Sequence, residues 1–124
     1  MDIQIPGVDE KEVMDQYEDD IELYAKVARS FIAVTPDVLN KLRLIENQPE
    51  STDALAKYAA CIHGLKGASA TVGAEETRKG ALHLEKLAKS GDLQGVLAGN
   101  STFLAQTEKL LDDMRGWIKQ FDAK

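Results

Sequence analysis

Apolar residues recur at spacings of three and four along almost the whole chain, and no run alternates with a period of two. That rhythm marks helices that each bury one face, and it leaves no segment reading as a strand. A short first helix is expected over Glu10–Glu18, after the breaker pair Pro6-Gly7. A second is expected from about Asp19 to Glu46, with Ile21, Tyr24, Ala25, Ala28, Phe31 and Ile32 as its stripe. Thr35-Pro36-Asp37 lies inside it and reads either as a kink or as a fresh start with Thr35 as N-cap. The third helix covers about Thr52 to Val72 and ends at Gly73. The fourth covers about Ala74 to Lys89 and closes in Ser90-Gly91-Asp92. The fifth runs from about Leu93 to Phe121, and Gly99-Asn100 weakens its middle enough to allow a break.

Long amphipathic helices joined by short turns make antiparallel neighbours. The expected fold is all-α: an antiparallel up-and-down four-helix bundle with an additional short N-terminal helix. A chain of 124 residues buries one core and not two, so a single domain over 1–124 is expected, its core spanning about residues 5–121. The formal charge of −6 argues against nucleic acid and against anionic membrane as partners. Cys61 is the only cysteine, so no intrachain disulfide can form. The start, MDIQIPGVDEKE, lacks the basic region and apolar run of a signal peptide, and no apolar stretch approaches membrane-spanning length. A cytoplasmic protein is expected.

The third helix carries the candidate chemistry. With His63 at zero on the helical wheel, Leu55, Tyr58, Cys61, Ile62, Leu65, Ser69 and Val72 fall in a sector of roughly 120° away from it, the core face. Within about 60° of His63 lie Ala56, Ala59, Ala60, Lys66, Gly67 and Ala70. A lone helical histidine is ordinarily a solvated or a core residue, and alanines serve helix propensity. Here the histidine stands off the core face, on a surface kept small. Lys66, one turn on, opposes protonation of the ring but favours an anion placed on it. That suits a histidine carrying a phosphoryl group, with Gly67 leaving an opening for a partner's backbone at a helix cost of roughly 1 kcal/mol.

The stretch His63-Gly-Leu-Lys-Gly-Ala-Ser-Ala-Thr-Val-Gly-Ala74 resembles the signature of histidine-containing phosphotransfer (HPt) domains, H-x-L-K-G-x-S-x-x-x-G-A. The likeness extends to GVDEKEVMDQYEDDIELYAKVARSFIAVTPDVLNKLR and to HLEKLAKSGDL, from about Ile5 to about Leu111. The resemblance implies a monomeric bundle in which His63 accepts a phosphoryl group from a receiver-domain aspartate and passes it to another receiver. It implies that Lys66 holds phosphoryl oxygens, that Gly67 permits close docking, and that Gly73 ends the helix. Ser69, on the core side, is expected to bond backbone. Glu85 matches a position where the family has Glu or Gln near the histidine; it either orients the ring's non-reacting nitrogen or is an exposed helix glutamate. Docking is expected over Ala56, Ala59, Ala60 and Ala70, together with adjoining residues of the fourth and second helices. The partners implied are response-regulator receiver domains, with a hybrid histidine kinase as a further candidate, and no cofactor of its own, Mg²⁺ being supplied by the receiver. Two departures stand out: Gly64 where the family has a larger residue, and Thr77 where it often has an apolar one.

Competing chemistries find less support. Cys61 and His63 point about 160° apart on one helix and cannot share a metal ion. His83 lies on the next helix with no H-E-x-x-H or paired cysteines, and reads as a surface or rim residue. Cys61 reads as a small buried hydrophobe. No glycine-rich nucleotide loop is present, so the chain is no autonomous kinase. A dimerising histidine-kinase helix pair is a rival, although Gly64 stands where that family carries an acidic residue. A docking module that carries no phosphate is the other.

Overall fold

The computed structural model describes residues 2–50 and 53–124. Five helices follow in order: α1 (Glu10–Gln16), α2 (Ile21–Asn47), α3 (Ala54–Thr71), α4 (Glu75–Lys89) and α5 (Leu93–Asp122). Four begin on an aspartate, and three of those side chains cap the helix. Asp9, Asp20 and Asp92 each accept a hydrogen bond from a first-turn amide, of Glu12, Leu23 and Gly95 respectively.

Neighbouring helices pack in a closed ring, α2 on α3, α3 on α4, α4 on α5 and α5 on α2. Polar cross-links fix the α2–α5 pair as antiparallel. Arg29 bonds Asp122, Arg43 bonds Glu108, and Ser101 bonds Glu46, so residue numbers rise on one helix as they fall on the other. The stripes named above meet inside the ring, where Tyr24, Leu39, Leu42, Ile62, Leu65, Leu111 and Met114 are fully buried. The bundle with an extra N-terminal helix is the observed architecture.

Several boundaries differ from the sequence reading. The first helix stops at Gln16 because Glu18 and Asp19 take left-handed conformations, φ 53° and 61°, that turn the chain. α2 runs unbroken through Pro36, and Thr35, 2% exposed, is an interior residue and no cap. Pro36 removes one backbone bond, a loss the packed stripes on both sides of it outweigh. α5 is likewise continuous through Gly99-Asn100. Asn100 is fully buried; it donates to the Leu42 carbonyl and accepts from the Tyr58 hydroxyl, tying α5 to α2 and α3. The third helix starts at Ala54, and the Thr52 proposed as its start lies outside the described residues.

The N-terminal segment closes one end. Ile3 and Ile5 are buried, and the Trp117 indole donates to the Asp2 carbonyl at 2.9 Å. At the same end Tyr17 and Tyr24 donate their hydroxyls to the carbonyls of Thr71 and Val72, the last residues of α3 and its cap. Gly73 then reverses the chain at φ 73°, and the amide of Ala74 bonds back to Ser69. A side chain at Gly73 would collide with Val13 of α1, since a Cβ would stand 2.2 Å from its Cγ2. This turn sets the register between α3 and α4. Among the described residues no helix is long and apolar enough to cross a membrane.

Candidate functional site

The α3–α4 hairpin brings His63 opposite Glu85. Nδ1 of the ring lies 2.6 Å from Oε2 of Glu85. Lys66, one turn along α3, donates to Oε1 at 2.6 Å, and Lys89, one turn along α4, reaches Oε2 at 3.2 Å. The carboxylate side chain is only 3% exposed, whereas that of His63 is 63% exposed. A carboxylate so covered needs donors, and it has three. Glu85 is therefore no exposed helix glutamate; it is the buried anchor of the site.

Its ionisation follows. The hydrogen bond from Lys66 is the largest influence, and with those from Lys89 and His63 it outweighs desolvation and holds Glu85 down to about 2. An ionised carboxylate can only accept, so Nδ1 of His63 must carry the proton of this bond. In the neutral ring the lone pair then resides on Nε2, on the edge turned away from Glu85. The arrangement offers an oriented, solvent-facing nucleophile with cations close by.

The surroundings divide about His63. Lys66 and Ala59 fall on the side turned toward α4, and Ala60 and Gly64 on the side turned toward α2. On the first side a shallow depression of about 600 Å³ is lined by Leu55, Ala56, Ala59, Ala60, Ala88, His63, Glu85 and Lys89. Ala56, Ala60 and Ala70 are exposed. Ala59, expected among the docking residues, is only 8% exposed, because it faces α4; it contributes to the floor. Gly67 is exposed, and a Cβ there would meet nothing within 4 Å. Ser69 is buried and donates to the Leu65 carbonyl, as its position on the core side requires.

A family model decides the wider assignment: that of the Hpt domain matches residues 26–117, most of the chain. The chain belongs to the Hpt family. Hpt domains are helical bundles that serve histidine phosphotransfer in phosphorelay signalling and act with receiver domains. No curated protein and no solved structure matches the chain. In this Hpt domain the other candidates stay apart from the histidine. Cys61 turns its half-buried thiol toward the Val38 carbonyl of α2 at 3.7 Å, and burial pushes the thiol up, away from the reactive thiolate. His83 is exposed on α4.

Lys89 escaped the sequence reading. Its signal was available in the spacing, since Glu85 and Lys89 stand four apart on α4 in the favourable order.

Proposed function

We propose that His63 accepts a phosphoryl group at Nε2 from the aspartyl phosphate of a docked response-regulator receiver domain and passes it to a second receiver. One observation carries this reading: Nδ1 is committed to a buried, ionised Glu85, which leaves Nε2 as the exposed nucleophile. The Nε2 lone pair attacks phosphorus in line with the leaving group. The P–O bond to the receiver's carboxylate breaks, and the carboxylate leaves with the bonding pair. No proton need move. The ring gains positive charge, spread to the Nδ1–H that Glu85 accepts, and Lys66 steadies the phosphoryl oxygens. Transfer onward is the same step reversed on another receiver. Mg²⁺ and further positive charge belong to the receiver's half of the site, and the domain alone is expected to have no kinase activity.

All four helices of the bundle come from one chain, which favours a monomer over the dimerising helix pair of a histidine kinase. A module that only docks would have no use for a carboxylate orienting the ring. A cytoplasmic setting, a hybrid histidine kinase as a further partner, and a site independent of nucleic acid and membrane accompany the proposal. The test is labelling by a phosphorylated receiver or by phosphoramidate. The parent acquires acid-labile, alkali-stable phosphate, His63→Gln acquires none, and His83→Gln behaves as the parent. Phosphate retained by His63→Gln sinks the assignment, and light scattering of a dimer returns the kinase reading.

A further inference from the structure

On the α2 side of His63 a groove of about 520 Å³ lies between α2 and α3. Phe31 and Leu65 are buried at its floor, Val34 and Val38 form the α2 wall, and Ala60 and Gly64 the α3 wall. Val34 is 58% exposed and offers its aliphatic side chain to whatever enters the groove. A Cβ at Gly64 would meet nothing within 4 Å, so a larger residue there would fit the backbone and fill the groove instead. Interior glycine weakens a helix, and no packing contact requires this one.

We propose that this groove is a specificity pocket for the receiver, taking a bulky apolar side chain that stands beside the receiver's phosphoaspartate, with Gly64 setting its depth. The inference rests on the phosphotransfer reading of His63. Three observations fix the occupant. Transfer demands that the partner's phosphorus come into contact with Nε2, and a partner covering about 800 Å² centred there must also cover the next residue, Gly64. Ala60 lines both the groove and the depression holding His63, so the two surfaces are continuous. Finally, on a chain of charge −6, Lys41 is the only charged residue among the described residues lining the groove, and Lys89 lines the other depression. No unpaired carboxylate among the lining residues would repel the acidic pocket of a receiver. The α4 flank is occupied by Glu85 and its lysines, which leaves the α2 flank to supply the apolar anchor that interfaces concentrate near their centre.

The experiment uses the full chain and its Gly64→Ala, Gly64→Leu and Gly116→Leu variants. Gly116 is another exposed helical glycine with open space around it, on α5. Each is labelled with phosphoramidate and then mixed with purified receiver domains from the same organism. Gly64→Leu is expected to take label as the parent does and to exchange with the parent's receivers about tenfold more slowly or worse. Gly64→Ala falls between, and Gly116→Leu matches the parent. Exchange by Gly64→Leu at the parent's rate overturns the pocket. So does light scattering of a parent dimer that Gly64→Leu dissolves, since the groove would then belong to a second copy. A parent that takes no label from phosphoramidate on His63 overturns the phosphotransfer reading, and the pocket with it.

Discussion

Glu85→Gln separates the stabilising role of the carboxylate from its chemical one. The substitution keeps the volume and leaves an oxygen to accept from Nδ1 of His63. It removes the charge, however, and turns an amide donor toward a lysine that was donating to the carboxylate. Glu85 is held down to about 2 in the folded protein, against an ordinary 4.5. A carboxyl depressed by folding contributes stability that is complete above the unfolded value and is lost as pH falls through the folded one, here between about pH 5 and about pH 2. At about 1.4 kcal/mol per pH unit the ceiling is about 3 kcal/mol. Both lysines and the ring keep contact with solvent, which screens the pairs, and about 2 kcal/mol is the better figure.

In a domain of this size that corresponds to a melting temperature lower by about 6–10 °C at pH 7. By pH 2 the parent has lost most of its advantage, and the two proteins should melt within about 2 °C of each other. Circular dichroism melts at a series of pH values measure both ends. A pH-independent gap, or no gap at pH 7, refutes the ionised, buried carboxylate. The same variant also tests the chemistry. A neutral acceptor holds Nδ1–H less firmly than a charged one, by about 1.4 kcal/mol, so labelling by phosphoramidate should slow about tenfold.

Lys66→Ala removes one charge-assisted contact, worth about 1.5–3 kcal/mol, and is expected to slow transfer roughly ten- to a hundredfold without abolishing it. A rate within about twofold of the parent leaves Lys66 a partner of Glu85 alone. Gly67→Gln should fold, because a Cβ there meets open space, and should still accept phosphate from phosphoramidate while receiver affinity collapses; normal exchange moves the docking face elsewhere. Gly73→Ala forces a side chain into a left-handed turn and against Val13, and chemical denaturation should show a loss of about 2 kcal/mol or more. An unaffected midpoint would mean that α1 yields at this turn.

Helix identity was legible because each long segment is amphipathic on its own, and local periodicity suffices for that. What escaped depends on partners distant in sequence. Gly99-Asn100 looks like a weak point locally, yet Asn100 is one of the best-satisfied side chains in the core, with Tyr58 and Leu42 as partners. Pro36 looks like a boundary, yet the stripe continues past it through Leu39 and Leu42. The buried Ile3 is invisible to a helical template because the segment holding it is not helical and is fixed by distant partners, among them Trp117 of α5, which donates to the neighbouring Asp2 carbonyl.

Of the proposed site, the part carried by α3 was legible as a single surface. His63, Lys66 and Gly67 share one helix face, so a wheel assembles them without tertiary knowledge. Glu85 could not be settled that way, because its two readings differ only in what α3 places opposite it. The wheel of α4 still held a clue, for Glu85 lies between the buried Leu84 and Ala88 and four residues after the buried Ala81. A glutamate on a core-facing stripe must be paired or left neutral. Its pairing depends on the register of the hairpin, which turns at Gly73 about midway between His63 and Glu85. One residue more in that turn would rotate α4 by about 100° relative to α3 and swing the carboxylate away from the ring. The glycine that ends α3, pinned by Val13, therefore acts on the proposed site at a distance: it decides which residue of α4 the histidine faces, and so which ring nitrogen is committed to a hydrogen bond.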